Sequence, residues 1–385
     1  MLVSVDDASD IVRLGHARWT AEHVSGIRDQ GVSTAALIDQ EDFSRIAPDL
    51  DIWDAWPVQN DDGMPSQIAP EETLWMALGA PRFADPDERH AHARIHLLQR
   101  LDQSWRDLGP LMPDGFSPGS REWSGSALLG EDRRSLTLFF TATGRRGETE
   151  PTFEQRLFSA EATLAVSGES RTFINWRNLR EIVARDPQHY MASDAGMGTV
   201  GTIKAFRDPA YFRDPADERR YLFFAGSRAA PAGEYNGVIG AITAGPEGEA
   251  EWRLLPPLVD ATDINNELER PHVITHRGLY YLFWSTQSHV FAPEYTFAPT
   301  GLYGMVATSL SGEWRPLNGT GLVFANPEAA PRQAYSWLVL PDLSVISFVD
   351  DWGRGCDAGG QRRFGATFAP ELHLTLSGAD AGLTS

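Results

Sequence analysis

The chain has 385 residues, and its 33 Lys and Arg against 53 Asp and Glu give a formal net charge of −20. That surplus of acid argues against a nucleic-acid partner or an anionic membrane surface, because little is available to neutralise phosphates. A single cysteine, Cys356, excludes an internal disulfide and any cysteine-built zinc cluster, and no run approaches about 18 consecutive apolar residues, so no segment reads as a membrane span.

In chain order, Met1–Asp7 has neither the basic nor the apolar region of a Sec-type signal. The expected location is therefore the cytoplasm, or outside the cell by a route without a cleaved signal. Residues 1–45 are expected to form a short helical extension, because 21–28 and 42–46 carry helix-compatible spacing with polar caps. From residue 46 the apolar period changes to two. Short runs such as Thr73–Leu78, Ile95–Leu98, Ser135–Thr141, Tyr221–Ala225 and Val238–Thr243 are rich in large and β-branched residues. Leu279–Trp284, Leu302–Ala307, Leu338–Leu340 and Leu343–Phe348 continue the pattern, each bounded by Gly, Pro, Asp or Asn. Many short strands without a linker point to a propeller or a large sandwich, with 46–385 as one all-β domain. No strict blade-length repeat is legible, and the small polar tail from Ser377 reads as frayed.

Some motifs match a chemical signature without its context. Gly196–Gly201 satisfies G-x-G-x-x-G, but no strand-to-helix transition surrounds it, so it reads as a glycine-rich loop. Gly115–Gly119 satisfies G-x-S-x-G, yet the residue after the serine is Pro118, which has no N–H to donate to an oxyanion. His90, His92 and His96 could share a metal, but no carboxylate is convincingly placed with them, and the default is solvated or core-edge histidines.

Three acidic segments differ from ordinary charge runs, because each sets a carboxylate among Trp, Arg and Pro. In the first, Asp54 lies between Trp53 and Trp56; an aspartate there is costly to bury unless hydrogen-bonded or used. In the second, Phe206-Arg207-Asp208-Pro209, the arginine favours an ionised Asp208 and the proline is expected to end a strand. The motif recurs at Phe212–Pro215 beside the polar 216–220, so the first copy is preferred. In the third, Asn265–His272, Glu267 and Glu269 alternate and would share one face of an extended segment. Solvated turn acids and a surface acid pair remain open alternatives for these groups. Used together, they equip a retaining glycosidase or transglycosidase, in which burial and like-charge proximity raise a carboxyl toward its working range.

Five segments in order resemble glycoside hydrolase family 68, the levansucrases, inulosucrases and bacterial β-fructofuranosidases. They are Trp53–Pro57, Glu122–Ser126, Phe206–Pro209, Glu267–Pro271 and Gln333–Ser336, and the resemblance covers about residues 50 to 350. It implies a five-bladed β-propeller with a funnel-shaped pocket that acts on sucrose and fructosyl acceptors and needs no cofactor. By motif position, Asp54 would be the nucleophile, Glu269 the acid/base and Asp208 the transition-state stabiliser. Trp53, Trp123, Ser124, Arg207, Glu267, Arg270 and Tyr335 map to positions that hold sucrose or orient the acids. Two departures stand out. Gln287 occupies a position where efficient polymerisers of the family usually carry Arg or His, which favours short products or hydrolysis. Asn266 replaces an Asp of the calcium site of Gram-positive members, which implies no metal. A propeller glycosidase for another furanoside, such as an arabinanase, and a silent sugar-binding propeller are the rival readings.

Overall fold

Strands are the dominant regular element among the described residues. The computed structural model describes residues 14–102, 104–193, 203–229, 233–245, 251–353 and 362–384, and within them the fold is all-β with only short helical turns. Cys356 and the Gly196–Gly201 motif lie outside the described residues.

Five antiparallel meanders follow one another. Leu50–Gln59, Glu72–Pro81, Arg94–Leu101 and Ser104–Pro110 form the first; Arg121–Leu129, Ser135–Thr143, Gln155–Ser167 and Ser170–Glu181 form the second. A short parallel pairing, Val58 with Ala127 and Gln59 with Leu128, joins these two into one nine-stranded sheet that also takes in Gln67–Ala69. Phe206–Arg213, Arg220–Ser227, Gly237–Ala244 and Arg253–Asp260 form the third. Glu269–His276, Leu279–Thr286, Gly301–Ala307 and Arg315–Pro316 form the fourth, with Leu322–Ala325 added against Gly301–Ala307. Ala334–Val339, Ser344–Val349, Leu372–Ser377 and Asp380–Leu383 form the last. The first strand of each meander packs against the first strand of the next, and Ala334–Val339 returns to Leu50–Gln59. Between the meanders lie the large apolar side chains; Trp19, Trp75, Phe223, Phe224, Trp284, Tyr303 and Trp337 are almost wholly buried. Each such burial stabilises the fold by about 1.5–3 kcal/mol, which is how a sequence poor in helices holds together.

Several sequence expectations need correction. The segment 42–46 is not helical: a 3-10 turn at Gln40–Asp42 ends when Phe43 becomes extended. Among the described residues the expected helix over 21–28 is present as an α-helix at Ala21–Ser25 that runs on into a 3-10 turn at Gly26–Asp29. It is capped by Thr20, whose hydroxyl accepts from the His23 N–H while His23 accepts from the Thr20 N–H. Ala17–Arg18 joins the third meander as a parallel edge strand. Pro209 does not end its strand, which runs on to Arg213. The tail does not fray at Ser377, since Asp380–Leu383 pairs back onto Leu372–Ser377 and Asn318 binds the Ala381 backbone through both its amide groups.

Candidate active site

A common irregularity aims the chemistry. The first strand of every meander slips register once, at Trp53/Trp56, Trp123/Gly125, Arg207/Ala210, Glu269/His272 and Tyr335/Leu338. An extra residue in one strand bends it and re-aims the neighbouring side chains. At four of the slips a non-glycine residue takes a left-handed backbone: Asp54 (φ 45°), Asp208 (φ 65°), Arg270 (φ 48°) and Ser336 (φ 62°). Each costs of order 1–3 kcal/mol, which persists only where the surroundings fix the conformation. Pro209 and Pro271 sit inside two of these slips, a place where a missing N–H breaks no ladder bond.

The five strands converge on a pocket of about 340 Å³. Every residue assigned a catalytic or sugar-binding position by the family resemblance lines it: Trp53, Asp54, Trp123, Ser124, Arg207, Asp208, Glu267, Glu269, Arg270 and Tyr335, with Gln287 beside them. The second Arg-Asp-Pro copy does not. There Asp214 accepts from the Tyr280 hydroxyl at 2.6 Å, away from the acids.

Asp54 is held by two hydroxyls. Ser124 Oγ donates to Asp54 Oδ2 at 3.0 Å, and the Ser336 hydroxyl donates to the same carboxylate. Ser336 Oγ in turn accepts from Arg270 Nη1 at 2.9 Å, while Arg270 Nη2 donates to the Ala55 carbonyl at 2.6 Å. Burial raises the pKa of Asp54; Arg270 and the two hydroxyls oppose that rise, and the Glu269 charge adds to it.

Arg207 ties the remaining acids together. Its Nη2 donates to Glu269 Oε1 at 2.7 Å and to Glu267 Oε2 at 3.0 Å, and its Nε lies 3.7 Å from Asp208 Oδ2. Burial disfavours the guanidinium charge, but the three carboxylates outweigh it and hold Arg207 protonated, its pKa above the ordinary value. Its Nη1 is buried without a hydrogen-bond partner among the described residues. The other Glu269 oxygen, Oε2, accepts from the Tyr335 hydroxyl. Burial pushes Asp208 up to about 7 against the pull of Arg207, with Glu269 and Asp54 adding to the rise. Burial raises Glu267 as well, again opposed by Arg207. The pocket is thus a buried ring of acids around one guanidinium, able to hold a proton on one carboxyl and charge on another.

Other lining residues were not legible as site residues. Ser336 closed a quoted motif without a role of its own. His90, read as one of three clustered histidines, lines the pocket with its ring edge-on to Trp53, centroids 6.0 Å apart. His92 instead stacks on Phe83 at 4.7 Å, and His96 Nδ1 lies 2.9 Å from Asp107 Oδ1, so the three histidines face different ways. Among the described residues no group of three His, Cys, Asp or Glu is placed to hold a metal. Arg89, Asp350 and Arg362 form another wall, with Arg362 paired to both Asp350 and Asp87. Burial and the Arg362 charge lower Arg89 to about 10.

Sequence comparison matches the levansucrase/invertase family over residues 9–237 and 230–384. The chain belongs to that family. It is an enzyme of glycoside hydrolase family 68. A levansucrase of Rahnella aquatilis is 28% identical over 400 residues, covering 94% of this chain and 92% of the relative. An inulosucrase from Halalkalicoccus jeotgali, solved with kestose bound, superposes with a TM-score of 0.86 at 34% identity, covering 96% of each chain. A levansucrase from Gluconacetobacter diazotrophicus shares the fold, with a TM-score of 0.82 at 23% identity, covering 96% of this chain and 90% of that one.

Proposed function

We propose that this enzyme splits sucrose with retention through a covalent fructosyl-enzyme, with Asp54 as nucleophile, Glu269 as acid/base and Asp208 as transition-state stabiliser. Sucrose fructosyl transfer is the activity that family membership and the relatives support; the site geometry supports the route. In the first step an Asp54 oxygen attacks the fructosyl anomeric carbon while Glu269 gives its proton to the glucosyl oxygen, and glucose leaves. In the second, the Glu269 carboxylate takes the proton of an acceptor hydroxyl, from sucrose, a fructooligosaccharide or water, as that oxygen attacks the same carbon and frees Asp54. Asp208, on the pocket wall, faces the charge that develops on the ring.

The observation that carries this reading is the single Arg207 nitrogen shared by Glu267 and Glu269 in the same pocket as the hydroxyl-held Asp54. It supports reading Glu269 as an oriented acid/base in the same pocket as an oriented nucleophile. We read the five meanders as five propeller blades, because the first strand of each contacts the next in cyclic order. Residues 1–45 are read as an extension packed on one catalytic unit. Gln287 lines the pocket without a charge, which favours short fructooligosaccharides or hydrolysis over long fructan. Incubation with sucrose, with free glucose and free fructose followed separately, tests the function. Glucose in excess of fructose is the expected result, D54A should release neither sugar, and absence of glucose from the unmodified enzyme would overturn the reading.

A further inference from the structure

Behind the acids lies a buried cation that the reaction as described does not use. Lys204, two residues before Phe206, is 2% exposed. Its ammonium donates to Asn236 Oδ1 at 2.8 Å, to Asn266 Oδ1 at 2.5 Å and to the Glu234 carbonyl. All three N–H bonds are thereby used, and all three acceptors are neutral oxygens. Among the described residues no carboxylate pairs with Lys204 directly. A buried ammonium with only neutral partners is costly, and methionine could fill the same space for the core alone.

The direction of the hydrogen bonds explains its presence. An ammonium only donates, so it fixes the Asn266 amide with its oxygen toward Lys204 and its nitrogen the other way. That nitrogen, Nδ2, donates to Glu267 Oε1 at 3.2 Å. The Glu267 backbone N–H is also anchored, donating to Asn265 Oδ1 at 2.7 Å. Glu267 Oε2 then accepts from Arg207 Nη2, which also holds Glu269. From the cation inward, Lys204 donates to Asn266 and Asn266 to Glu267, which accepts again on its far side from Arg207, the donor that also holds Glu269.

We propose that Lys204 is a positioning residue, whose ammonium sets the Asn266 amide so that an ionised Glu267 anchors Arg207 and, through it, Glu269. The inference rests on the reading of Glu269 as acid/base. The charged and titratable groups facing Glu267 are Arg207 at one carboxylate oxygen, Lys204 behind Asn266 at the other, Glu269 on its own segment, and Tyr335. Of these, Lys204 and Arg207 favour its ionised form. Removing Lys204 therefore favours a protonated Glu267, which no longer offers Arg207 a full negative charge.

The test is the pH dependence of sucrose turnover in K204M. The acid limb of kcat/KM should move up by about one pH unit, with kcat at neutral pH falling about tenfold, while K204R, which keeps the charge, restores the limb. K204Q, which fills the cage and keeps a donor without the charge, should show the same shift and serves where K204M does not fold. A folded K204M or K204Q with the unmodified acid limb would overturn the proposal, whatever its thermal stability. E269Q measured alongside separates the two claims. If E269Q retains turnover, the acid/base assignment fails; if E269Q is inactive and the Lys204 variants keep the original limb, only the Lys204 inference fails.

Discussion

Asp208 should make the enzyme less stable in order to make it work, and Asp208→Asn measures by how much. In the folded protein burial pushes this carboxyl from its ordinary 3.8 to about 7. A group whose folded-state pKa is raised binds its proton more tightly in the folded state, so it weakens folding as pH rises from the unfolded value to the folded one. Carrying a carboxyl from 3.8 to about 7 corresponds to about 4 kcal/mol, fully expressed above pH 7 and nearly absent at pH 4. Asparagine keeps the shape and cannot ionise. D208N should therefore match the unmodified enzyme near pH 4 and exceed it by about 3–4 kcal/mol at pH 8, while sucrose turnover falls by about 100-fold or more. Urea midpoints at pH 4, 6 and 8, compared at equal slope, read the stability difference directly. A gap that is constant across that range, or a D208N protein less stable at pH 8, would refute the argument that burial of this charge is what opposes folding.

Other substitutions probe the rest of the pocket. S336A removes a hydrogen bond that favours ionised Asp54, so the acid limb of kcat/KM should move up by about half to one pH unit, with more activity lost at pH 5 than at pH 7. R270K should reduce kcat strongly and destabilise by about 3 kcal/mol by thermal melting, since a point charge cannot reach both Ser336 Oγ and the Ala55 carbonyl in the fork geometry of arginine. Q287H or Q287R should shift products toward longer chains by chromatographic profile, with glucose release little changed; an unchanged profile would count against a role for that position in chain length.

The later strands of the meanders were readable from the sequence because each is a short, nearly continuous apolar run between turn residues, as in Leu279–Thr286 and Gly237–Ala244. The first strands were less so, with only the end of Ala334–Val339 picked out, as part of Leu338–Leu340. Phe206–Arg213 and Glu269–His276 carry charged residues and a proline, and a register slip breaks the period halfway along each. Tertiary packing therefore overrides local pattern at the very strands that carry the chemistry. The acids were still identifiable, because a carboxylate among Trp, Arg and Pro has few cheap structural uses. His90 gave no signal of lining the pocket: the core-edge reading fits its half-buried ring, but it is a 3-10 turn at Pro86–Ala91, not a strand, that carries it. Ser336 and Lys204 gave no signal, since a serine or lysine becomes informative only when its partners, distant in sequence, are known.

The amino-terminal segment bears on how the protein is made. Ala17 pairs with Val259, Trp19 donates to the Thr320 carbonyl, Thr34 bridges to Ala325, and the Gln333 amide ties down Ile38 and Ala36. This strap thus docks on partners far later in the sequence. Residues 17–38 must wait, unsatisfied, through the synthesis of roughly 300 more residues, at about 5–20 residues per second. Assembly of the described fold is completed when this strap finds the third, fourth and fifth meanders.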